Sequence, residues 1–387
     1  MEGWASAPGP APALHSMRGT NLPIASASHR RMTLPRIHIG RPQRLAALLL
    51  LAFLVQCLWV VGHQQLSTEA FTLHSDGIFA YRVVELPLAL LRLAHGDDSR
   101  LSLFVLHLPV VFFALLLGGG LWWVTRRLYG NEGGFFALGL YCFCPAVVRM
   151  AVALNNDLLA MWGLYGLIYT AIGVAHAMQG PRRRWRPRIV LLTIALGLTA
   201  AAHLLAAIVG FIAALAFMLY LAERRRGYVF QVLLVSAIGA LVIIFAFYGF
   251  RPAAFSTVFT GGAARFWFSL AGIHSFVFDR GFAGSLENLP ILTAACVAAL
   301  LYCAVRRSRY FGNTTPLLVL LALAPLITTQ TVSAPWLWAL PFFFTFIGGV
   351  FADALETQYR KLFLVLTGAI LAAQAMECLA ALPLIAP

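Results

Sequence analysis

Charge is what this chain has least of. Only 11% of its 387 residues are Asp, Glu, Lys or Arg, against about 25% in an ordinary soluble domain, and Lys361 is the single lysine. So few charged side chains cannot wet the surface of globules, which excludes the two or three soluble domains that length alone suggests. Cysteine is scarce as well: Cys57, Cys142, Cys144, Cys296, Cys303 and Cys378 all lie within apolar runs. The separation of Cys142 and Cys144 is neither a zinc nor a redox spacing. No disulfide framework follows, and the six read as small buried hydrophobes. A continuous basic face is missing too. Despite a net charge of +14, the arginines stand in short clusters, Arg126-Arg127, Arg182-Arg183-Arg184, Arg224-Arg225-Arg226 and Arg306-Arg307, separated by apolar runs. Nucleic acid needs one contiguous basic surface, so it is excluded as a partner.

What the chain has instead is long apolar runs, such as Leu45–Val61, Phe104–Val124 and Pro316–Ile327. With 61% hydrophobic residues and a mean hydropathy of +0.83, these read as membrane spans, because lipid offers no partners for exposed backbone groups and a spanning helix takes about 20 residues. The expected fold is all-α: a polytopic transmembrane bundle of about eleven spans, at 45–62, 102–124, 134–153, 157–177, 189–203, 204–222, 228–250, 287–305, 313–332, 334–352 and 362–383. The fifth and sixth are short and predict a hairpin turning at Ala200–His203 without a full crossing. Residues 1–44 lack apolar periodicity and read as a disordered, basic cytosolic tail. Residues 45–383 form one transmembrane domain with polar outer loops at 63–101 and 251–286. In the first loop, Ile78–Leu93 carries Arg82, Glu85 and Arg92 at roughly helical spacing, which predicts a helix lying in the interface.

Orientation follows from counting. With the N-terminus cytosolic, the inner segments collect 21 of the 28 basic residues, while nine of the fourteen acidic residues fall outside or at outer helix ends. The positive-inside bias therefore predicts a multi-pass protein of the cytoplasmic (inner) membrane, with a cytosolic N-terminus and a C-terminus outside.

The outer face also gathers the candidate chemistry. His74 and Asp76 stand in the first loop; Arg251, Arg265, His274, Asp279 and Arg280 stand in the second. Asn155-Asn156-Asp157 joins two spans with almost no loop. An Asp at that depth costs a few kcal/mol against lipid, so Asp157 should face a wet cavity or a partner. Asp76 and Asp157 converging at one face could hold a divalent metal such as Mg or Mn, or one could act as a base. Each also has a plainer role, as a cap for its own helix. Arg251, beside Pro252, could equally snorkel to headgroups. His107 and His274 read as structural, and Pro335, Trp336 and Trp338 as an interfacial aromatic anchor.

The order of these features is similar to that of the GT-C glycosyltransferases. An Asp-containing outer loop follows the first span, then an interfacial helix, then Arg126-Arg127-Leu128-Tyr129-Gly130. The stretch Gly133–Tyr169, GGFFALGLYCFCPAVVRMAVALNNDLLAMWGLYGLIY, extends the match. It resembles bacterial relatives of protein O-mannosyltransferases and lipid A aminoarabinose transferases, in which a Gly/Ala-rich span has a Pro near its outer end and an Asp opens the next span. Pro145 and Asp157 occupy those places. Gly197-Leu198-Thr199-Ala200-Ala201-Ala202-His203 is similar to a family turn in which Lys is common where His203 stands. The first loop departs from the family's Asp-Glu-aromatic pattern, reading His74-Ser75-Asp76-Gly77-Ile78-Phe79.

The resemblance implies a transferase that takes its sugar from a polyprenyl-phosphate carrier, among membrane lipids, and gives it to a hydroxyl of a glycan, lipid or protein. It implies Asp76 as base with inversion, Asp157 holding a metal or orienting the acceptor, and His74 binding substrate. Arg251, Arg265, Arg280 and His203 are its candidates for the departing phosphate. Two other classes stay open on the residues: a multi-span transporter or flippase, and a non-catalytic protein with a GT-C-like fold. The near-absence of charge at mid-depth in the spans favours surface chemistry over passage.

Overall fold

The computed structural model describes residues 40–63, 78, 79, 82, 83, 85, 87, 89, 99–154, 156–179, 185–222, 225–260, 267, 268, 288–304, 327, 328 and 335–386. Among them the chain is almost wholly helical, as expected. Helix α1 spans Arg41–His63, α2 Ser99–Cys142, α3 Pro145–Val152, α4 Asp157–Met178, α5 Arg186–Ala202, α6 Leu204–Leu221 and α7 Arg226–Phe247. There follow α8 (Pro252–Thr260), α9 (Leu289–Ala304), a short 3-10 turn (Pro335–Ala339), α10 (Leu340–Leu355) and α11 (Arg360–Ile385). Seven segments of the described residues are long and apolar enough to cross a bilayer.

One of those seven is folded back on itself. Gly130 has φ 88° and ψ 179° inside α2, a conformation that only glycine adopts without strain. The Tyr141 hydroxyl donates to the Ala114 carbonyl at 2.7 Å, and the rings of Trp122 and Phe135 lie 6.4 Å apart. The two arms of α2 are therefore an antiparallel hairpin, matching the separate spans expected at 102–124 and 134–153. The second arm stops at Cys142 and resumes as α3 at Pro145. Proline lacks the N–H that would continue the ladder, and within this break the Phe143 carbonyl accepts from Gln374 Nε2 on α11 at 2.9 Å.

Close neighbours fix the direction of each following helix. A Cβ on Gly163 would meet Thr199, and one on Gly210 would meet Leu164 and Leu167. Gly197 abuts Ile243, and Gly239 abuts Thr193, so α5 and α7 run parallel. Gln179 at the far end of α4 donates to the Leu221 carbonyl that ends α6. Helices α4 to α7 thus alternate in direction from one end of the bundle to the other. The hairpin expected for 189–222 turns at His203, between α5 and α6, which are 17 and 18 residues long, each about 25 Å at 1.5 Å per residue.

A correction concerns the span expected at 313–332. Ile327–Thr328 is extended and pairs antiparallel with Trp267–Phe268, so helix does not continue to the end of that apolar run. The rest of the run lies outside the described residues, as do residues 1–39.

The bundle is held by close approach rather than by the hydrophobic effect, which lipid does not supply between helices. A Cβ on Gly348 would stand 2.6 Å from the Gly133 carbonyl, and one on Gly133 would stand 2.9 Å from that of Gly348. Beside this contact a buried hydroxyl network ties α2, α4 and α10. Thr345 donates to the Pro341 carbonyl at 2.8 Å and so accepts from Thr125 at 3.3 Å and Tyr165 at 3.1 Å. Large apolar side chains left exposed, such as Leu48, Leu51 and Val55 on α1 and Phe230, Leu234 and Ile238 on α7, mark faces turned to lipid. Four cysteines are buried as expected, whereas Cys296 and Cys303 on α9 are exposed.

Candidate active site

The arginines gather at one end of the bundle. The guanidiniums of Arg126, Arg127 and Arg225 lie over the rings of Trp122, Trp123 and Trp185 at 5.1, 5.5 and 5.2 Å. Arg188 donates to the Gly173 carbonyl at 2.6 Å and Arg226 to that of Leu219 at 3.2 Å. Arg360 pairs with Glu132 at 2.8 Å.

The opposite end holds the candidate site. Helix α4 opens there at Asp157, so the partial positive charge of its N-terminus faces that end and favours an anion. The Asp157 side chain is half-buried. Asn156 stands at the cap position but makes no side-chain capping bond. It is 8% exposed, and among the described residues its buried Oδ1 has no hydrogen-bond partner.

Helices α5 and α6 meet at the same end. His203 is the one residue between them, with extended backbone at φ −158°, ψ 116°. Its N–H still reaches the Thr199 carbonyl at 2.8 Å, and its own carbonyl accepts from Ala207 at 3.2 Å. The break therefore costs little hydrogen bonding and projects one polar side chain into the bundle end. That side chain is buried and meets the Trp338 ring edge-on, with centroids 4.9 Å apart. Trp338 belongs to the 3-10 turn that packs against α4. It is 1% exposed, and among the described residues its Nε1 is buried without an acceptor. The interfacial anchor expected of Trp338 is thus corrected: the ring is enclosed by protein, not set in the interface. Trp336's side chain lies outside the described residues.

Over this end lies a segment of the loop expected at 63–101. Its described residues between 78 and 89 are helical, as the spacing of Ile78–Leu93 predicts. Phe79 is buried with Leu159, Ala201 and Ala202, and Phe113, Trp162 and Phe247 close the cluster. Arg82 pairs with Glu85 at 2.9 Å and donates through Nε to the Phe247 carbonyl at 3.4 Å. The helix is thereby pinned across the ends of α4, α5 and α7. Arg251 follows the end of α7, beyond a turn in which Gly249 and Phe250 have φ 63° and 56°. Its side chain is exposed, and its carbonyl accepts from Phe255 at 3.0 Å in the first turn of α8.

Of the residues expected from the sequence, Asp157, His203 and Arg251 stand at this one end. His74, Asp76, Arg265 and Arg280 lie outside the described residues. Among the described residues no three His, Cys, Asp or Glu side chains are grouped to hold a metal ion. Asn156 and Trp338 were not singled out as site residues. Asn156 had a signal, its place beside Asp157 in a near-absent loop. The burial of Trp338 depends on a contact between residues 135 positions apart and leaves no local trace.

The helices define a multi-pass membrane protein. The chain superposes on ArnT from Cupriavidus metallidurans, in its apo crystal structure, with a TM-score of 0.55 over 84% of its length at 13% identity. It spans 63% of that chain's length. No family model matches the sequence, and no curated protein matches it either. The expected GT-C-like bundle is the fold that this likeness shows.

Proposed function

We propose that this protein transfers a sugar from a polyprenyl-phosphate carrier to an acceptor hydroxyl at the arginine-poor end of the bundle. The observation that carries the proposal is the convergence there of the α4 N-terminus, His203 and Trp338 beneath the helix of the first outer loop. Buried polar atoms with nothing to bond are costly, and a site that must receive a polar ligand is where such a cost is kept. The likeness in fold to ArnT and the GT-C resemblance of Gly133–Tyr169 support the same class. The positive-inside bias of the sequence supports a non-cytosolic position for this end. Nucleotide sugars are absent there, so a donor must arrive through the lipid.

In this proposal Asp76 takes the acceptor's hydroxyl proton. The oxygen attacks the anomeric carbon, the carbon–oxygen bond to phosphate breaks from the opposite side, and polyprenyl phosphate leaves with the electron pair and its negative charge. The product is inverted. The α4 N-terminus, His203 and Arg251, with Arg265 and Arg280 from the second outer loop, meet that charge, and His74 contacts the sugar. Asp157 orients the acceptor. A divalent metal would need both Asp76 and Asp157; one described carboxylate is not a metal site, so no step is routed through a metal.

The test is transfer by the purified protein in nanodiscs, using labelled polyprenyl-phosphate sugars and extracted envelope glycans and lipids as acceptors. Transfer is expected, falling by about 10²–10⁴ in Asp76→Asn, the usual worth of a general base. Retention of full transfer in Asp76→Asn would refute the base assignment. Movement of the carrier between leaflets without transfer would replace the transferase with a flippase.

A further inference from the structure

Helix α4 is buried on most sides and shows one stripe to the outside, Trp162, Gly166, Tyr169, Gly173 and His176, flanked by half-buried Thr170 and Ile172, at the three- and four-residue spacing of a helix face. The first arm of α2 walls this stripe on one side, with Phe113 against Trp162 at 4.9 Å and Trp123 against Tyr169 at 5.3 Å. Helix α5 walls the other, where Leu198 packs near Trp162 and Arg188 reaches the Gly173 carbonyl. A Cβ on Gly166 or Gly173 would meet nothing within 4 Å. The stripe is therefore the floor of a furrow. Its rims are lipid-facing, with exposed Phe112, Leu116, Leu191 and Ile194.

The arginine-rich end of that furrow carries two cations from two different helices. Arg127 lies over Trp123, whose ring packs on Tyr169, and Arg188 reaches the carbonyl of Gly173, one helical turn further along α4. Among the described residues neither guanidinium has an acidic partner; the ion pairs there are Arg82–Glu85 and Arg360–Glu132. A guanidinium has five N–H donors in a planar fork, so the stacking of Arg127 on Trp123 and the one bond of Arg188 to Gly173 leave donors for a ligand. Two forks converging over an open floor suit a phosphate, which accepts such bonds in pairs. The lipid-facing rims and the apolar furrow beyond suit a phosphate that carries a hydrocarbon chain.

We propose that this furrow is a site for one anionic glycerophospholipid of the leaflet at the arginine-rich end. Its phosphate bonds to Arg127 and Arg188, its glycerol lies over Gly173, and an acyl chain runs past Gly166 toward Trp162. Basic recesses between spans are where such headgroups are recognised. The site lies at the end of α4 opposite Asp157 and is independent of the proposed transferase chemistry.

The full chain would be purified in a mild detergent and its thermal unfolding followed with added phosphatidylglycerol or phosphatidylcholine, with native mass spectrometry counting retained lipids. Phosphatidylglycerol is expected to raise the midpoint more than phosphatidylcholine does, and to be retained as one tightly held copy. Arg127→Gln with Arg188→Gln should lose at least half of that increment and the retained copy. Gly173→Leu provides the second arm, since its side chain enters open space and leucine is the better helix former. It should unfold no earlier than the parent in phosphatidylcholine, yet lose the phosphatidylglycerol increment. Equal increments in the parent, the double variant and Gly173→Leu would overturn the proposal. So would an increment given by polyprenyl phosphate and not by phosphatidylglycerol. Neither readout uses sugar transfer, so failure here leaves the transferase reading as it was.

Discussion

The two ends of this bundle spend their polar groups in opposite ways. At the arginine-rich end, Arg126, Arg127 and Arg225 rest on tryptophan rings, Arg188 and Arg226 bond backbone carbonyls, and Arg360 has Glu132. These charges are exposed or half-exposed, anchored and abundant. At the other end, polar atoms of Asn156 and Trp338 are buried with no partner among the described residues. Ringed and solvated cations orient a bundle in its membrane. Enclosed polar atoms left unsatisfied raise the energy of the empty protein, and a ligand that satisfies them is bound in return. The contrast separates what holds the protein in place from what the protein is proposed to do.

The sharpest way to break this comparison is to ask which end faces the cytosol. Asn131, in the turn beside Gly130, and Arg251, after α7, are both exposed and lie at opposite ends. With Cys296 and Cys303 changed to serine, an impermeant maleimide added to intact cells is expected to label Arg251→Cys fully and Asn131→Cys not at all. Labelling of Asn131→Cys alone would invert the orientation and remove the argument for a lipid-borne donor.

A large effect on stability is expected in the packing between helices rather than at the polar groups of either end. Gly348→Leu would force side-chain atoms where a Cβ alone already stands 2.6 Å from the Gly133 carbonyl. Backbone cannot yield as a side-chain tip does, so the arms of α2 and α10 must part. The expected cost is about 3 kcal/mol, the upper part of the range for overpacking, read as a lower unfolding midpoint in detergent. Gly173→Leu, on the open face of α4, is the matched control.

How much of this was legible in the sequence differs by scale. The apolar runs give the spans, and Arg126-Arg127-Leu128-Tyr129-Gly130 marks the α2 turn, because hydropathy and glycine conformation act locally. Asp157 and His203 were found because each breaks an apolar pattern. Ile327–Thr328 misled, since a run apolar enough to span can also be extended where it pairs with another segment, here Trp267–Phe268. The hairpin of α5 and α6 is legible because 17 and 18 residues sit at the lower edge of spanning length and a histidine interrupts the apolar run between them. Trp338 was misplaced because aromatic residues near a span end look alike whether they touch headgroups or protein.

A smaller effect sharpens the reading of the arginine-poor end. Asn156 stands at a helix cap without making the capping bond. Asn156→Ala should therefore escape the usual capping loss of about 1 kcal/mol and shift the unfolding free energy by less than about 0.5 kcal/mol, the scale of an inconsequential change. Transfer, by contrast, should fall about tenfold, the worth of one hydrogen bond to a ligand. Loss of stability with unchanged transfer would make Asn156 an ordinary structural cap.

The smallest effect is expected where the arginine-rich end looks most strongly held. Arg360 and Glu132 are 64% and 43% exposed as side chains, and such pairs contribute about 0–1 kcal/mol. Arg360 is also the first residue of α11, so its charge sits against the positive end of the helix dipole, at a cost of about 0.3–1 kcal/mol. In Arg360→Gln the lost pair and the relieved dipole offset each other, and the midpoint should hardly move. Glu132→Gln removes the pair but leaves the arginine on the helix N-terminus, so it should destabilise by about 0.5 kcal/mol more. Both terms are screened by salt, and the gap between the two variants should close as ionic strength rises from about 0.05 to 0.5 M. A gap that persists would mean that the pair acts through packing rather than charge.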